Sequence, residues 1–396
     1  MHRLPAAPLP HDALDAARAP FGQSRMLPAA AYVAPEVLAW ERRHLFDGGW
    51  VCVGRVDSSP SRGRQVAVRL GDTSVLLVTD ALGALGVFAN ICRHRGHELL
   101  PCGASIERGI VQCPYHAWSY ELDGRLRLAP HIGPVANFVP DELGLVRLRH
   151  EIWNGWVFVN VSGEPPAFTS WIGGLDELLA PWDIASLQVG ATHHYELTAN
   201  WKLAIENYHE CYHCPLIHPE LSRVSDPTSG ENYIDRPGLW VGGSMTIDDR
   251  ATTMSLDGRS PLGTLPGLSA SERRKVVYVG LLPNLLISAH PDYVMTHRIE
   301  PIGPTTSRVE CQWLFRPEAL EGAGFDPAYA VDFWDVTNRQ DWHAVESVQR
   351  AMTSSKYVPG LLSHSEDAVY QWVSMIASAY RGAPVARGQL PTDYSR

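Results

Sequence analysis

No stretch of this chain approaches the ~20 consecutive apolar residues needed to cross a bilayer. The N-terminus is broken by Pro5, Pro8 and Pro10 and has no apolar core of a secretion signal, so we expect a cytoplasmic protein. Basic runs are missing too. None exceeds the short neighbourhood of Arg93 to Arg95, and with a formal charge of -10 this argues against a nucleic-acid surface. There is no internal repeat, no low-complexity segment and no G-x-G-x-x-G stretch, so a dinucleotide cofactor would belong to another protein. Seven cysteines is an odd number, which argues against a disulfide framework and for reduced thiols available to metals. What is abundant is core material: 396 residues, 45% hydrophobic with 13 tryptophans, suit two domains or slightly more.

Residues 1–44 form an N-terminal segment, Pro/Ala-rich and then helical from Pro35 to Leu45, ending at Gly48-Gly49. No chemistry is evident there. Residues 45–165 read as a small all-β unit, with runs at Val51 to Val53, Gln65 to Leu70 and Ser74 to Thr79 and a closing pair within Ile152 to Asn160. Inside it lie Cys92-Arg93-His94-Arg95-Gly96 and Cys113-Pro114-Tyr115-His116, the second followed by Trp118 and an Asp123-Gly124 hairpin turn. Two thiolates and two imidazoles on loops between strands could hold zinc. The spacing favours an iron-sulfur centre in which cysteines hold one iron and histidines the other. Backbone N–H groups of such loops would be free to donate to the sulfurs.

After the linker Gly163 to Ala167, residues 166–396 carry a short helix near Leu175 to Leu179 and a strand start at His193 to Leu197. Strands at Lys275 to Val279, Leu285 to Ala289, Val294 to Glu300 and Arg308 to Phe315 follow. This mixture predicts an α+β domain with an antiparallel sheet and helices on one face. A helix capped by Asn200 is expected to run to Pro215, with Leu203, Glu206, Asn207, Glu210, His213 and Cys214 on one wedge. Pro215 should break it and let His218 swing back toward His213, giving either two metal ligands or a core histidine and a surface one. On a second helix, within Val331 to Met352, Asp341 shares an apolar wedge with Trp334, Asn338, Val345 and Val348. A carboxylate so placed is a ligand or an ion-pair member, the pair being with Arg339 or with a neighbouring helix. Asp332, Asp335 and Glu346 fall outside the wedge and read as solvated. His213, His218 and Asp341 together form the two-histidine, one-carboxylate set of non-haem Fe(II) oxygenases.

C-x-H-R-G with C-P-Y-H-x-W, beside that triad, resembles the catalytic (alpha) subunit of Rieske non-haem iron oxygenases from about Trp40 to about Tyr380. Ala117 stands where that family more often has glycine; its methyl is expected to leave the ligands untouched. The resemblance implies a Rieske 2Fe-2S domain on Cys92, His94, Cys113 and His116, then a helix-grip catalytic domain with mononuclear Fe(II) on His213, His218 and Asp341. It further implies a head-to-tail homotrimer, O2 as co-substrate, and a separate NAD(P)H-dependent flavin/ferredoxin reductase. Glu210, with Asn207 beside it, falls at the catalytic bridging position, where the family carboxylate joins His213 to His116 of the neighbouring subunit. Here the spacing is one residue shorter and Glu replaces Asp.

The run E-N-Y-H-E-C-Y-H-C-P-L-I-H-P-E-L with F-W-D-V-T-N-R-Q-D-W looks closest to the branch acting on glycine betaine, carnitine and proline betaine (stachydrine). That branch implies N-demethylation through a hydroxylated N-methyl carbon. A quaternary ammonium is best held by aromatic faces and a carboxylate, and Tyr208, Tyr293, Phe333 and Trp334 are the candidates. Aromatic-ring dihydroxylation, a purely electron-transferring Rieske protein and a structural zinc module are the other readings. Cys211 and Cys214, about 60° apart on the expected helix, are read as two reduced thiols.

Overall fold

The computed structural model describes residues 4–56 and 61–391. Contacts group the chain into two units, Leu45–Pro165 and Met1–His44 with Pro166–Arg396. Thus the N-terminal segment packs with the second unit and does not stand apart.

Among its described residues the first unit is mainly β, its strands all paired antiparallel, with one 3-10 turn at Pro140–Leu143. β1 (Val51–Arg55), β9 (Arg149–Trp153) and β10 (Trp156–Asn160) make one sheet, with β10 in the middle. β2 (Arg64–Leu70), β3 (Thr73–Thr79), β4 (Leu85–Ala89) and β5 (Ser105–Glu107) make another, ordered β4-β3-β2-β5. The third is β6 (Val111–Gln112), β7 (Ser119–Tyr120) and β8 (Leu126–Leu128). Alternation along these strands buries Ala67, Leu76, Val78, Phe88 and Tyr120 in one cluster that also takes in Cys92 and Cys113. The Asp123-Gly124 turn forms as expected, with Glu121 N–H donating to Arg125 O at 2.8 Å. Gly124 has φ +90° and lies so close to Phe88 that a Cβ would collide with the ring.

The second unit is α+β. Its seven-stranded antiparallel sheet runs β11-β17-β16-β15-β14-β13-β12. The strands are β11 (Gln188–Leu197), β12 (Glu231–Asn232), β13 (Trp240–Thr246), β14 (Lys275–Leu281), β15 (Leu285–Ala289), β16 (Val294–Gly303) and β17 (Thr306–Phe315). Helix α1 (Pro35–Glu41) runs into a π-helical turn at Arg42–Phe46, as the Pro35 to Leu45 pattern requires. α2 (Trp201–Tyr208) packs against both α5 (Ala328–Met352) and α6 (Asp367–Tyr380), and all three lie on the sheet. Among the described residues no helix is long and apolar enough to cross a membrane.

α2 differs from expectation in its length. Asn200 caps it as predicted, accepting from Lys202 N–H at 3.1 Å, but it stops at Tyr208 instead of running to Pro215. The Glu210 carboxylate takes the N–H groups of Tyr212 at 2.6 Å and His213 at 3.3 Å, so these amides no longer need helical carbonyls. Pro215 therefore sits in the first turn of a new short helix, α3 (Cys214–Ile217), and α4 (Pro219–Val224) follows. The single wedge from Leu203 to Cys214 does not exist. Cys211 and Cys214 are also corrected: off the helix, Cys214 N–H closes on Cys211 O at 3.2 Å and the two cysteines form a disulfide.

On α5 the expected wedge holds for Trp334, Asn338 and Val345, which are buried, but Val348 is exposed. Arg339 pairs with Asp335 at 2.7 Å, leaving Asp341 to other partners. Asp335 also accepts from Tyr195 Oη at 2.7 Å, and Glu346 accepts from Thr198 N–H at 2.9 Å, so neither is simply solvated.

The helices are joined by a buried charge cluster. Glu41 accepts from Lys202 Nζ at 2.6 Å, from Trp201 Nε1 at 2.9 Å and from the Tyr380 hydroxyl, and the Lys202 and Glu41 side chains are both 0% exposed. Two ions removed from water are tolerated because each neutralises the other, Glu41 accepts two further donors, and the Lys202 ammonium also lies over the Tyr32 and Trp201 rings at 5.3 and 5.1 Å. Lys202→Met should destabilise the unit by about 3–5 kcal/mol, since it strands a buried carboxylate, and adding Glu41→Gln should recover much of that. Chemical denaturation of the single and double variants checks it.

Ala117 provides a second test. Its φ is +58°, in the left-handed region, so its methyl is strained where glycine would not be. Against the greater flexibility glycine brings to the unfolded chain, Ala117→Gly should stabilise the first unit by up to about 1 kcal/mol, read as a raised thermal midpoint.

Candidate functional site

The first unit brings its four expected residues into two facing loops. Cys92 N–H donates to His97 O and Gly96 N–H to Cys92 O, while Cys113 N–H donates to Trp118 O; each hairpin is thus closed around a cysteine. Asn90 fixes the first loop, donating to Leu100 O at 2.6 Å and accepting from the amides of Leu99 and Leu100. Cys92 and Cys113 are buried, whereas His94 and His116 are exposed, their ring centroids 4.7 Å apart. Trp118 stacks on His94 at 4.9 Å.

Donors reach the sulfurs. Tyr120 Oη lies 3.3 Å from Cys92 Sγ and accepts from Arg93 N–H at 3.0 Å, so its hydroxyl can donate to a Cys92 thiolate, which only accepts. Burial pushes the Cys113 thiol up, and the Tyr115 and His116 amides, bonded to its sulfur, pull it back. Buried sulfur with donors on one side and exposed imidazoles on the other suits a cluster with one thiolate-held and one imidazole-held iron.

In the second unit His213 Nε2, His218 Nε2 and Asp341 Oδ1 converge. The two nitrogens are 3.2 Å apart, and Asp341 Oδ1 lies 3.3 Å from His213 Nε2 and 2.9 Å from His218 Nε2. Three donors at right angles around a centre about 2.1 Å away would stand about 3 Å from one another, so the triangle fits one metal ion. The far nitrogens are engaged: His213 Nδ1 with Glu210 Oε1, and His218 Nδ1 with Gln340 Oε1 at 2.7 Å. Both rings can therefore turn a lone pair inward.

The electrostatics agree. Burial alone would lower His213, but Asp341 and Glu210 outweigh it and push the imidazole up to about 10. Burial alone would raise Asp341, yet His213 and His218 hold it below the usual carboxylate range. This point in the fold calls for positive charge. Cys214 also lies near the two histidines, but its sulfur is bound to Cys211 and Asp341 is the better third donor.

The triad faces a cleft of about 750 Å³, mouth included. Tyr208, Tyr278 and Trp334 contribute to its wall, with Asn207, Glu210 and Glu231 as polar neighbours and neither Lys nor Arg among the described lining residues. Two expected aromatic candidates, Tyr208 and Trp334, are there. Tyr293 and Phe333 are not: both are fully buried, and the Tyr293 hydroxyl is committed to Met254 O and Trp334 Nε1, each at 2.8 Å. Sequence reasoning missed Tyr278, whose place in the apolar run of β14 gives no local signal. It also missed Gln340, although that residue directly precedes Asp341.

Two family descriptions match the chain: the Rieske [2Fe-2S] domain over residues 49–139 and the ring hydroxylating alpha subunit (catalytic domain) over residues 184–382. The glycine betaine monooxygenase oxygenase subunit of Chromohalobacter salexigens is 32% identical over 86% of this chain and 82% of its own length. The chain belongs to the Rieske non-haem iron oxygenase family, as a catalytic (alpha) subunit. This Rieske oxygenase is accordingly an oxidoreductase with a 2Fe-2S cluster and a mononuclear iron as its cofactors.

Solved structures share the fold of the oxygenase. A quaternary ammonium Rieske monooxygenase, described for carnitine oxidation by gut microbiota and inter-subunit electron transfer, superposes with TM-score 0.80 at 21% identity over 95% of this chain and 100% of that one. Naphthalene 1,2-dioxygenase from Rhodococcus sp. gives TM-score 0.75 at 19% identity over 94% of this chain and 98% of that one.

Asp341→Ala should reduce iron from about three to about two atoms per chain while leaving the cluster's visible absorption intact. Metal analysis beside the optical spectrum checks it, and unchanged iron would point to a protein that only transfers electrons.

Proposed function

We propose that this oxygenase N-demethylates a quaternary ammonium compound, with glycine betaine the first substrate to test. The observation that carries the reading is the cleft: three aromatic side chains and the carboxylates of Glu210 and Glu231, with neither Lys nor Arg among the described lining residues, facing His213, His218 and Asp341. A quaternary ammonium cannot donate a hydrogen bond, so π faces and nearby negative charge are what can hold it. The C. salexigens relative, named for glycine betaine, supports the same class.

In this reading Cys92, His94, Cys113 and His116 hold the cluster, and His213, His218 and Asp341 hold the iron. When bound, the two centres supply electron transfer and O2 activation. The chain's own residues do the rest. Tyr208, Tyr278 and Trp334 seat the cation so that one N-methyl group faces the triad. Trp334 is held still by its bond to Tyr293 and Tyr208 by its hydroxyl on Ile287 O at 2.8 Å, so the box is set before substrate arrives. Glu210 orients His213 and, in a homotrimer, would link it to His116 of the neighbouring subunit; Asn207 lines the cleft beside it. With O2, two electrons and two protons, the N-methyl C–H becomes C–OH and one water forms. The hemiaminal then loses formaldehyde and leaves the demethylated amine. Electrons come from a separate NAD(P)H-dependent flavin/ferredoxin reductase, and the reaction is placed in the cytoplasm.

Single turnover tests this without the reductase. Iron-loaded, chemically reduced protein mixed with O2 and a panel of quaternary ammonium acids should yield formaldehyde in step with loss of one of them. If the cluster reoxidises while the whole panel is recovered intact, the substrate class is wrong, and arene and other C–H substrates come next. Trp334→Leu should weaken that substrate roughly thirtyfold, from about 2 kcal/mol of desolvated cation–π attraction. Binding of its uncharged tert-butyl isostere should fall far less.

A further inference from the structure

His218 has the least exposed side chain of the three metal donors, at 1%, and its outward nitrogen is tied into the protein. Nδ1 lies 2.7 Å from Gln340 Oε1, and Gln340 Nε2 donates to Glu220 Oε2 at 3.2 Å. A glutamine alone cannot dictate a histidine tautomer, because rotating the amide by half a turn exchanges its acceptor for a donor. A carboxylate removes that freedom, since it only accepts. Glu220 Oε1 faces Arg223 at 3.7 Å, leaving Oε2 for the Gln340 amide. With the NH2 end of Gln340 held there, its carbonyl must face His218. Nδ1 then carries the proton and Nε2 turns its lone pair toward Asp341 and His213.

We propose that Glu220 and Gln340 are positioning residues for the mononuclear iron, a relay that fixes the tautomer and ring orientation of His218. This rests on the reading of His213, His218 and Asp341 as the iron donors. The relay also joins the two segments that supply them: Gln340 precedes Asp341 on α5, and Glu220 lies two residues after His218 on α4. The two histidines are thereby treated differently. His213 meets a carboxylate directly, while His218 meets a neutral carbonyl that a carboxylate holds in place.

The test uses the full-length protein with its cluster. Fe(II) affinity is measured by chelator competition, and the nitrosyl adduct of the iron is examined by electron paramagnetic resonance, with thermal melting as the check on folding. Gln340→Leu should bind iron about 10–100-fold more weakly. Glu220→Ala should lose less affinity but split the nitrosyl signal into two populations, because the Gln340 amide is freed to turn. Glu220→Gln, whose own amide can turn in the same way, should leave the signal split, because only an acceptor-only carboxylate fixes the Gln340 amide. A Gln340→Leu protein with wild-type affinity and an unaltered nitrosyl signal overturns the relay. Should that variant fail to fold, an unchanged signal and affinity in Glu220→Ala overturns it equally. His218→Ala separates the two levels. If that variant keeps wild-type iron, the donor assignment itself is wrong; if it loses iron while Gln340→Leu does not, only the relay fails.

Discussion

The mononuclear site depends on where one helix stops. α2 ends at Tyr208 because the Glu210 carboxylate competes for the next amides, taking those of Tyr212 and His213. The same carboxylate meets His213 Nδ1, so the group that ends the helix also aims the first imidazole. Had the helix continued, His213 would lie along its axis and His218 beyond it. The reverse turn is what folds an H-x4-H spacing into a pair of nitrogens 3.2 Å apart.

The cluster loops solve a related problem in a different material. They sit between short antiparallel strands, where amides not used by a ladder can turn toward sulfur, and Tyr120 adds a hydroxyl from the neighbouring strand. Sulfur lies inside and imidazole outside. The two cysteines of the first unit and the His213, His218 and Asp341 side chains of the second are thus held by hydrogen bonds, while the His94 ring is packed between Trp118 and His116.

Much of this was legible in the sequence because the ligand motifs are local. Cys92-x-His94 and Cys113-x2-His116 need only a tight loop, and strand runs such as Leu285 to Ala289 are marked by composition. The length of α2 was not legible, because periodicity does not register a side chain competing with the backbone. Nor were Tyr278 and Gln340, since their roles arise from juxtaposition across β14, α4 and α5. Tyr293 and Phe333 erred the other way: aromatic type placed them near the site, but a hydroxyl bond and core packing took them inside. The Cys211–Cys214 disulfide escaped for the same reason as the helix end, since its geometry was judged on a helix that had already stopped.

The Glu41–Lys202 pair has a consequence for how the chain can be divided. Glu41 precedes the all-β unit and Lys202 follows it, so the larger unit is discontinuous in sequence and the smaller one is an insertion within it. A truncation beginning at the linker would look tidy on paper. It would nonetheless remove the counter-ion of a lysine sealed from water, and with it the acceptor for the Trp201 and Tyr380 side chains. A fragment that keeps this lysine paired must therefore include residues from both sides of the insert.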